Sequence, residues 1–124
     1  MIHLDSHVLA WLYAGETDRF SVKALRLLER EELMVSPMAV LELQYLFEVK
    51  RINQPGQLVF DDLARRVGLR LDDRPLVEVV SASLQLSWTR DPFDRMICAQ
   101  SLSEGAALLT ADRTIHEHLE LAVW

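Results

Sequence analysis

In "TRDPFDRMICAQ", Asp91 and Asp94 stand three residues apart, straddling Pro92-Phe93 at the head of an apolar run. With Pro92 at the first helical position, Asp91 is the N-cap and can bond the free N–H of Asp94. Capping alone accounts for Asp91. Asp94 is different, because it shares a helical stripe with Ile97 and Cys98 and leans towards the interior. Helix-dipole stabilisation, about 0.3–1 kcal/mol at an exposed site, is weak compensation for a carboxylate turned inwards. Glu42 raises the same problem. In "PMAVLELQYLFEVKR" its neighbours one turn away are Met38, Ala39, Tyr45 and Leu46, so it projects from the face the helix should bury. An isolated buried carboxylate is costly or takes up a proton, so such acids are paired, hydrogen-bonded or metal-bound. A salt bridge to an arginine at the core edge is the plain alternative, but Lys50 and Arg51 lie two turns away on another side.

Two further acids follow apolar runs: Asp5 after "MIHL" and Asp112 two residues beyond "LLT". Each alone is explained by the ordinary use of Asp in turns and caps. Together, Asp5, Glu42, Asp94 and Asp112 would repel one another unless a cation held them. A hard, oxygen-loving ion such as Mg²⁺ or Mn²⁺ fits such a set, bound by one or two carboxylates with waters retained. Zinc is disfavoured: Cys98 is the single thiol, and His3, His7, His116 and His118 show no ligand arrangement. His116 and His118 read as surface residues of the last helix.

The elements that would position these acids follow from pattern. "MIHL" reads as a strand and "SHVLAWLY" as a helix; Ser21 caps a helix over 21–30; "LMVS" is a second strand. Ser36-Pro37 opens a helix to about Arg51, and "INQPGQ" breaks it before the helical "QLVFDDLARRV". "GLRL" is a short strand, "PLVEVVSASLQL" a helix by its length, and the helix after Pro92 ends near Gly105. "AALLT" is a strand, "RTIHEHL" a helix and "LAVW" an edge strand. Strands that are continuous apolar runs alternating with helices predict an α/β fold whose mostly parallel sheet is covered on both faces. Such sheets bind ligands beyond the carboxyl ends of their strands, where Asp5 and Asp112 stand.

The 124 residues suit one domain over 1–124, with half the residues hydrophobic and few Gly or Pro. One cysteine excludes an internal disulfide and fits a reducing, cytoplasmic setting. No run approaches a membrane span, and "MIHLDSHVLAW" lacks the basic start of a signal peptide. A net charge of −6 supplies no global attraction to nucleic acid. Any such contact has to be local or helped by a cation.

With their surroundings, the acids resemble the PIN-domain family, especially the VapC-type toxin ribonucleases of type II toxin–antitoxin pairs. "HLDSHVLAWL", "VSPMAVLELQYL", "RDPFDRMICAQSL" and "LLTADRTI" occur in family order and span nearly the whole chain. The resemblance implies a three-layer α/β/α sandwich with a sheet of about five strands, a divalent-metal ribonuclease activity, a homodimer, and a cognate antitoxin that blocks the site. By motif it assigns the site to Asp5, Glu42, Asp94 and Asp112. Asp91 belongs to the subfamily's Asp-Pro-Phe-Asp pattern and ranks below Asp94. Ser6 and Thr110 match hydroxyl positions that hold a carboxylate or a water at the ion. "LELQYL" departs from the family in lacking a Trp-Glu pairing, which leaves substrate choice open.

The expected chemistry is metal-assisted hydrolysis of RNA phosphodiester bonds, with Asp5, Asp94 and Asp112 holding one or two Mg²⁺ ions. Glu42 is either the base that orients water or part of the metal shell. Arg95 and Arg113, each beside a site acid, could contact phosphate oxygens; an ordinary solvated arginine is the simpler reading of each. A second hypothesis is a protein-binding module with an idle site. A phosphatase or receiver-like protein is a third, disfavoured because "LDSHV" lacks an Asp-x-Asp nucleophile and no lysine follows the late strand. Trp11, Tyr13, Phe47 and Phe60 either line a groove for an antitoxin helix or belong to the core, with core the better reading for Trp11 and Phe47.

Overall fold

In the computed structural model, which describes residues 1–124, five strands form one sheet. They are β1 (Ile2–Leu4), β2 (Leu33–Val35), β3 (Arg70–Leu71), β4 (Ala107–Leu109) and β5 (Ala122–Val123). Their order is β3-β2-β1-β4-β5 and every pair is parallel. Successive side chains of a strand point to opposite faces. Ile2 and Leu4 on one face of β1 and His3 on the other are all buried, so both faces are covered and the fold is a three-layer sandwich.

The helices are α1 (Ser6–Ala14), α2 (Val22–Arg30), α3 (Pro37–Glu48), α4 (Gly56–Val67), α5 (Leu76–Ser83), α6 (Pro92–Glu104) and α7 (Arg113–His118), with a 3-10 turn at Thr17–Arg19. Local chemistry sets their ends. Ser21 Oγ accepts the Ala24 N–H and Ser36 Oγ the Met38 N–H, while Gly15 and Gly105 close α1 and α6 in the left-handed region. Helix α3 stops at Glu48, short of the expected Arg51, because the chain turns through Lys50 at φ 64°. Gly56 lets α4 cross α3 closely. A Cβ there would meet Val40 O at 2.3 Å, and the Gly56 N–H donates to Gln44 Oε1 at 3.1 Å.

From β1 the chain moves outward to β2 and β3, and it later returns to the other side of β1 as β4. The sheet's switch point therefore lies between β1 and β4, where a crevice opens beyond the strand ends in folds of this type. The β1–β4 register pairs Leu4 with Leu109, and the Asp5 N–H donates to Leu109 O at 3.1 Å. Asp5 and Thr110 thus leave the sheet side by side.

His3 is a core residue. Its Nε2 pairs with Asp72 Oδ2 at 2.7 Å under the sheet, which leaves it no part in a metal site. Trp11, Tyr13, Phe47 and Phe60 are half-buried, and Trp11, Tyr13 and Phe60 pack against the core.

Candidate metal centre

Asp5 is the N-cap of α1 and is buried. Its Oδ1 accepts the Ser6 N–H at 2.7 Å, and its Oδ2 accepts the Thr110 hydroxyl at 2.7 Å. Thr110, fully buried, also accepts the Asp112 N–H at 3.1 Å. Asp112 caps α7 by accepting the Ile115 N–H at 3.0 Å. One hydroxyl therefore ties both strand-end acids together. Ser6 does the same across the other side: its Oγ donates to Glu42 Oε1, while its N–H holds Asp5.

Asp91 caps α6 with a single oxygen, since Oδ1 accepts the N–H groups of both Phe93 and Asp94, at 2.8 and 3.2 Å. Its other oxygen is left for the site. Ligand atoms of Glu42, Asp91 and Asp94 lie within 4.8 Å of one another. Asp91, ranked below Asp94 from sequence, stands in the tight trio with Glu42 and Asp94, while Asp5 and Asp112 flank it. Capping and site membership do not compete, because a carboxylate has two oxygens and about four acceptor positions.

The electrostatics match that arrangement. Burial pushes the Asp94 carboxyl up to about 7, with the charges of Asp91, Asp5, Glu42 and Asp112 adding to the shift. Burial also raises Glu42; the Ser6 hydrogen bond opposes the rise and Asp5 and Asp91 reinforce it. No lysine or arginine pairs with Glu42, Asp91, Asp94 or Asp112. The salt bridge that could have explained Glu42 is absent. Carboxylates gathered without a counter-charge are what a divalent cation with oxygen ligands requires. Glu42, Asp91 and Asp94 could hold such an ion, with Asp5 and Asp112 adjacent. Cys98 is buried and its thiol is pushed up by that burial and by the nearby acids, so it offers no thiolate.

The two arginines take different positions. Arg95 Nε and Nη2 donate to Ser83 O at 3.3 and 3.0 Å, fastening the end of α5 to α6. Arg113 is exposed and free of ion pairs. His116 and His118 are exposed; His116 Nε2 bonds Thr110 O at 2.6 Å, and His118 stacks on Trp88 at 4.9 Å between ring centres.

His7, for which no ligand arrangement is legible in sequence, also stands at the site. Its Nδ1 lies 3.5 Å from Asp5 Oδ2, and its Nε2 accepts the Ala111 N–H at 2.9 Å. Burial lowers its pKa, with Asp5 and Asp112 pulling the other way. The available signal was position alone, two residues beyond Asp5 on a helix that begins at Ser6.

Comparison with known proteins finds relatives of the whole chain. The chain is 35% identical over 121 residues to Ribonuclease VapC22 of Mycobacterium tuberculosis (strain ATCC 25618 / H37Rv), covering 93% of this chain and 89% of that protein. Its fold superposes with a TM-score of 0.69, at 17% identity, on a chain in the crystal structure of VapBC2 from Rickettsia felis bound to a DNA fragment from their promoter. That match covers 99% of this chain and 96% of the other. Residues 2–119 match the family described as PIN domain, and the chain belongs to that family.

Proposed function

We propose that this chain, acting as a single domain, is a divalent-metal-dependent endoribonuclease and the toxin of a toxin–antitoxin pair. The observation that carries the reading is the unpaired trio of Glu42, Asp91 and Asp94 at the carboxyl edge of the sheet, with Asp5 and Asp112 alongside. The relative named a ribonuclease supports RNA as substrate. Mg²⁺ or Mn²⁺ is the cation the oxygen-only donor set suits.

A bound divalent ion lowers the pKa of a coordinated water and neutralises charge developing on the phosphate. The chain's own residues do the remaining work. Asp94, Asp91 and Glu42 would hold the ion, with Asp5 and Asp112 beside it. Ser6 and Thr110 fix the Glu42 and Asp5 carboxylates, so the acids keep their orientation when RNA enters. Burial raises the proton affinity of Glu42, and the Ser6 hydroxyl holds one of its oxygens, leaving the other for the ion. Exposed Arg113, at the start of α7 beside Asp112, is free to meet a phosphate oxygen, whereas Arg95 already holds Ser83 O.

An antitoxin protein and a second copy of the chain are the proposed partners. Exposed apolar side chains at Leu41, Tyr45, Leu76, Val77 and Leu84 supply surface for such contacts. No helix is long and apolar enough to cross a membrane, and we place the protein in the cytoplasm.

The test is incubation of purified protein with total cellular RNA in Mg²⁺, in Mn²⁺ and in chelator, followed by sequencing of new RNA ends. Discrete new ends that require the metal and disappear in Asp94→Asn are expected. Equal cleavage in chelator, or none under any condition, would overturn the assignment.

A further inference from the structure

His7 is held in a way that fixes which of its nitrogens carries the proton. Its Nε2 lies 2.9 Å from the Ala111 backbone nitrogen, which can only donate. Nε2 is therefore the acceptor, and the ring proton of the neutral imidazole sits on Nδ1. Nδ1 faces Asp5 Oδ2 at 3.5 Å. The ring is confined by Trp11 at 4.8 Å and Trp124 at 6.3 Å between centres. With Nε2 engaged and Nδ1 protonated, His7 has no lone pair left for a metal ion or for accepting a proton from water.

We infer that His7 is a positioning residue that holds the β4–α7 turn beside the Asp5 carboxylate and turns Oδ1 of Asp5 towards a cation. Oδ2 accepts the Thr110 hydroxyl, and His7 Nδ1 lies 3.5 Å from it, an electrostatic contact longer than a hydrogen bond. Oδ1 accepts the Ser6 N–H and keeps an acceptor position open. Ala111 lies between Thr110 and Asp112, so the Ala111–His7 bond also fixes the backbone that carries Asp112. One ring thus couples the two strand-end acids by a second route, independent of Thr110. This inference rests on the metal reading for what Asp5 does, and on the Ala111–His7 hydrogen bond and the 3.5 Å contact with Asp5 for what His7 does.

Two substitutions separate the two halves of the strap. His7→Asn places an N–H donor where Nδ1 sits but cannot reach Ala111; His7→Gln places a carbonyl acceptor near Nε2 but no donor at Asp5. His7→Leu removes both. Long-range ¹H–¹⁵N correlation of the imidazole in the wild-type protein reports the tautomer directly, and protonated Nδ1 is the expected result. Protonated Nε2 would overturn the proposal.

Mn²⁺ affinity, measured by the electron paramagnetic resonance of free ion, is expected to fall about 10–100-fold in His7→Leu and to be substantially restored in His7→Asn. His7→Leu binding Mn²⁺ as tightly as wild type would also overturn it. If the wild-type protein bound no Mn²⁺, the metal reading would fall instead, while the ring spectrum would still decide the strap.

Discussion

Thr110 Oγ1 donates to Asp5 Oδ2 at 2.7 Å and accepts the Asp112 N–H at 3.1 Å, although Thr110 and Asp5 are 105 positions apart in the chain. This buried hydroxyl joins β1 to β4 at the sheet's switch point and sets the spacing of two acids. Thr110→Val keeps the shape and removes both bonds. It leaves a buried carboxylate oxygen short of a donor and the Asp112 N–H short of an acceptor. A loss of about 1–3 kcal/mol of stability is expected in urea denaturation, with Thr110→Ser retaining most of it.

Asp94 must lose its proton to hold a cation, and its carboxyl sits at about 7 in the metal-free protein. Metal binding below that pH is therefore expected to release a proton. Mn²⁺ affinity should rise about tenfold per pH unit up to 7 and level off above it. Glu42, raised in the same direction by burial, steepens the acidic end. Titration calorimetry in two buffers of different ionisation enthalpy reads the proton release directly.

The same shift carries a stability cost. Between the ordinary aspartate value of 3.8 and about 7, the folded state holds a proton that the unfolded state does not. Stability from this group is therefore present at low pH and is lost as pH rises through that window. Asp94→Asn removes the loss. At pH 8 and without metal, the variant should be more stable than wild type by about 1–3 kcal/mol, a figure reduced for the site's partial exposure. The advantage should vanish towards pH 4. Thermal melts in chelator across that range check both the sign and the window.

Gly56→Ala should destabilise the fold by about 1–3 kcal/mol, because the new Cβ would press on the Val40 carbonyl of α3. Helix α3 carries Glu42, so the displacement reaches the site. Reduced denaturation midpoint together with weaker Mn²⁺ binding is the expected pair of results, read by urea titration and by calorimetry.

Much of this was legible in the chain itself. The alternation of short apolar runs with capped helices specified a parallel sheet, because strands buried on both faces cannot alternate with polar residues. Glu42 declared itself by standing on an apolar helix face, and Asp94 by sharing a stripe with Ile97 and Cys98. The nearness of Asp91 to Glu42 and Asp94 is not legible in sequence, because a cap uses one oxygen and sequence does not show where the other points. Arg95 sits next to Asp94 in sequence, but on a helix adjacent residues face different ways, and it fastens Ser83 instead. His7 was invisible because one of its partners, Ala111, comes from the far end of the chain. The end of α3 at Glu48 depends on Lys50 entering the left-handed region, a choice few lysines make.

Glu42, Asp91 and Asp94 are proposed to hold a divalent cation together. Equilibrium Mn²⁺ binding to purified wild type, Glu42→Gln and Asp91→Asn at pH 8 tests it most directly. Saturable binding by wild type, weakened at least about tenfold in each variant while the circular dichroism spectrum stays native, is the result expected. Unchanged Mn²⁺ affinity in both folded variants would contradict it.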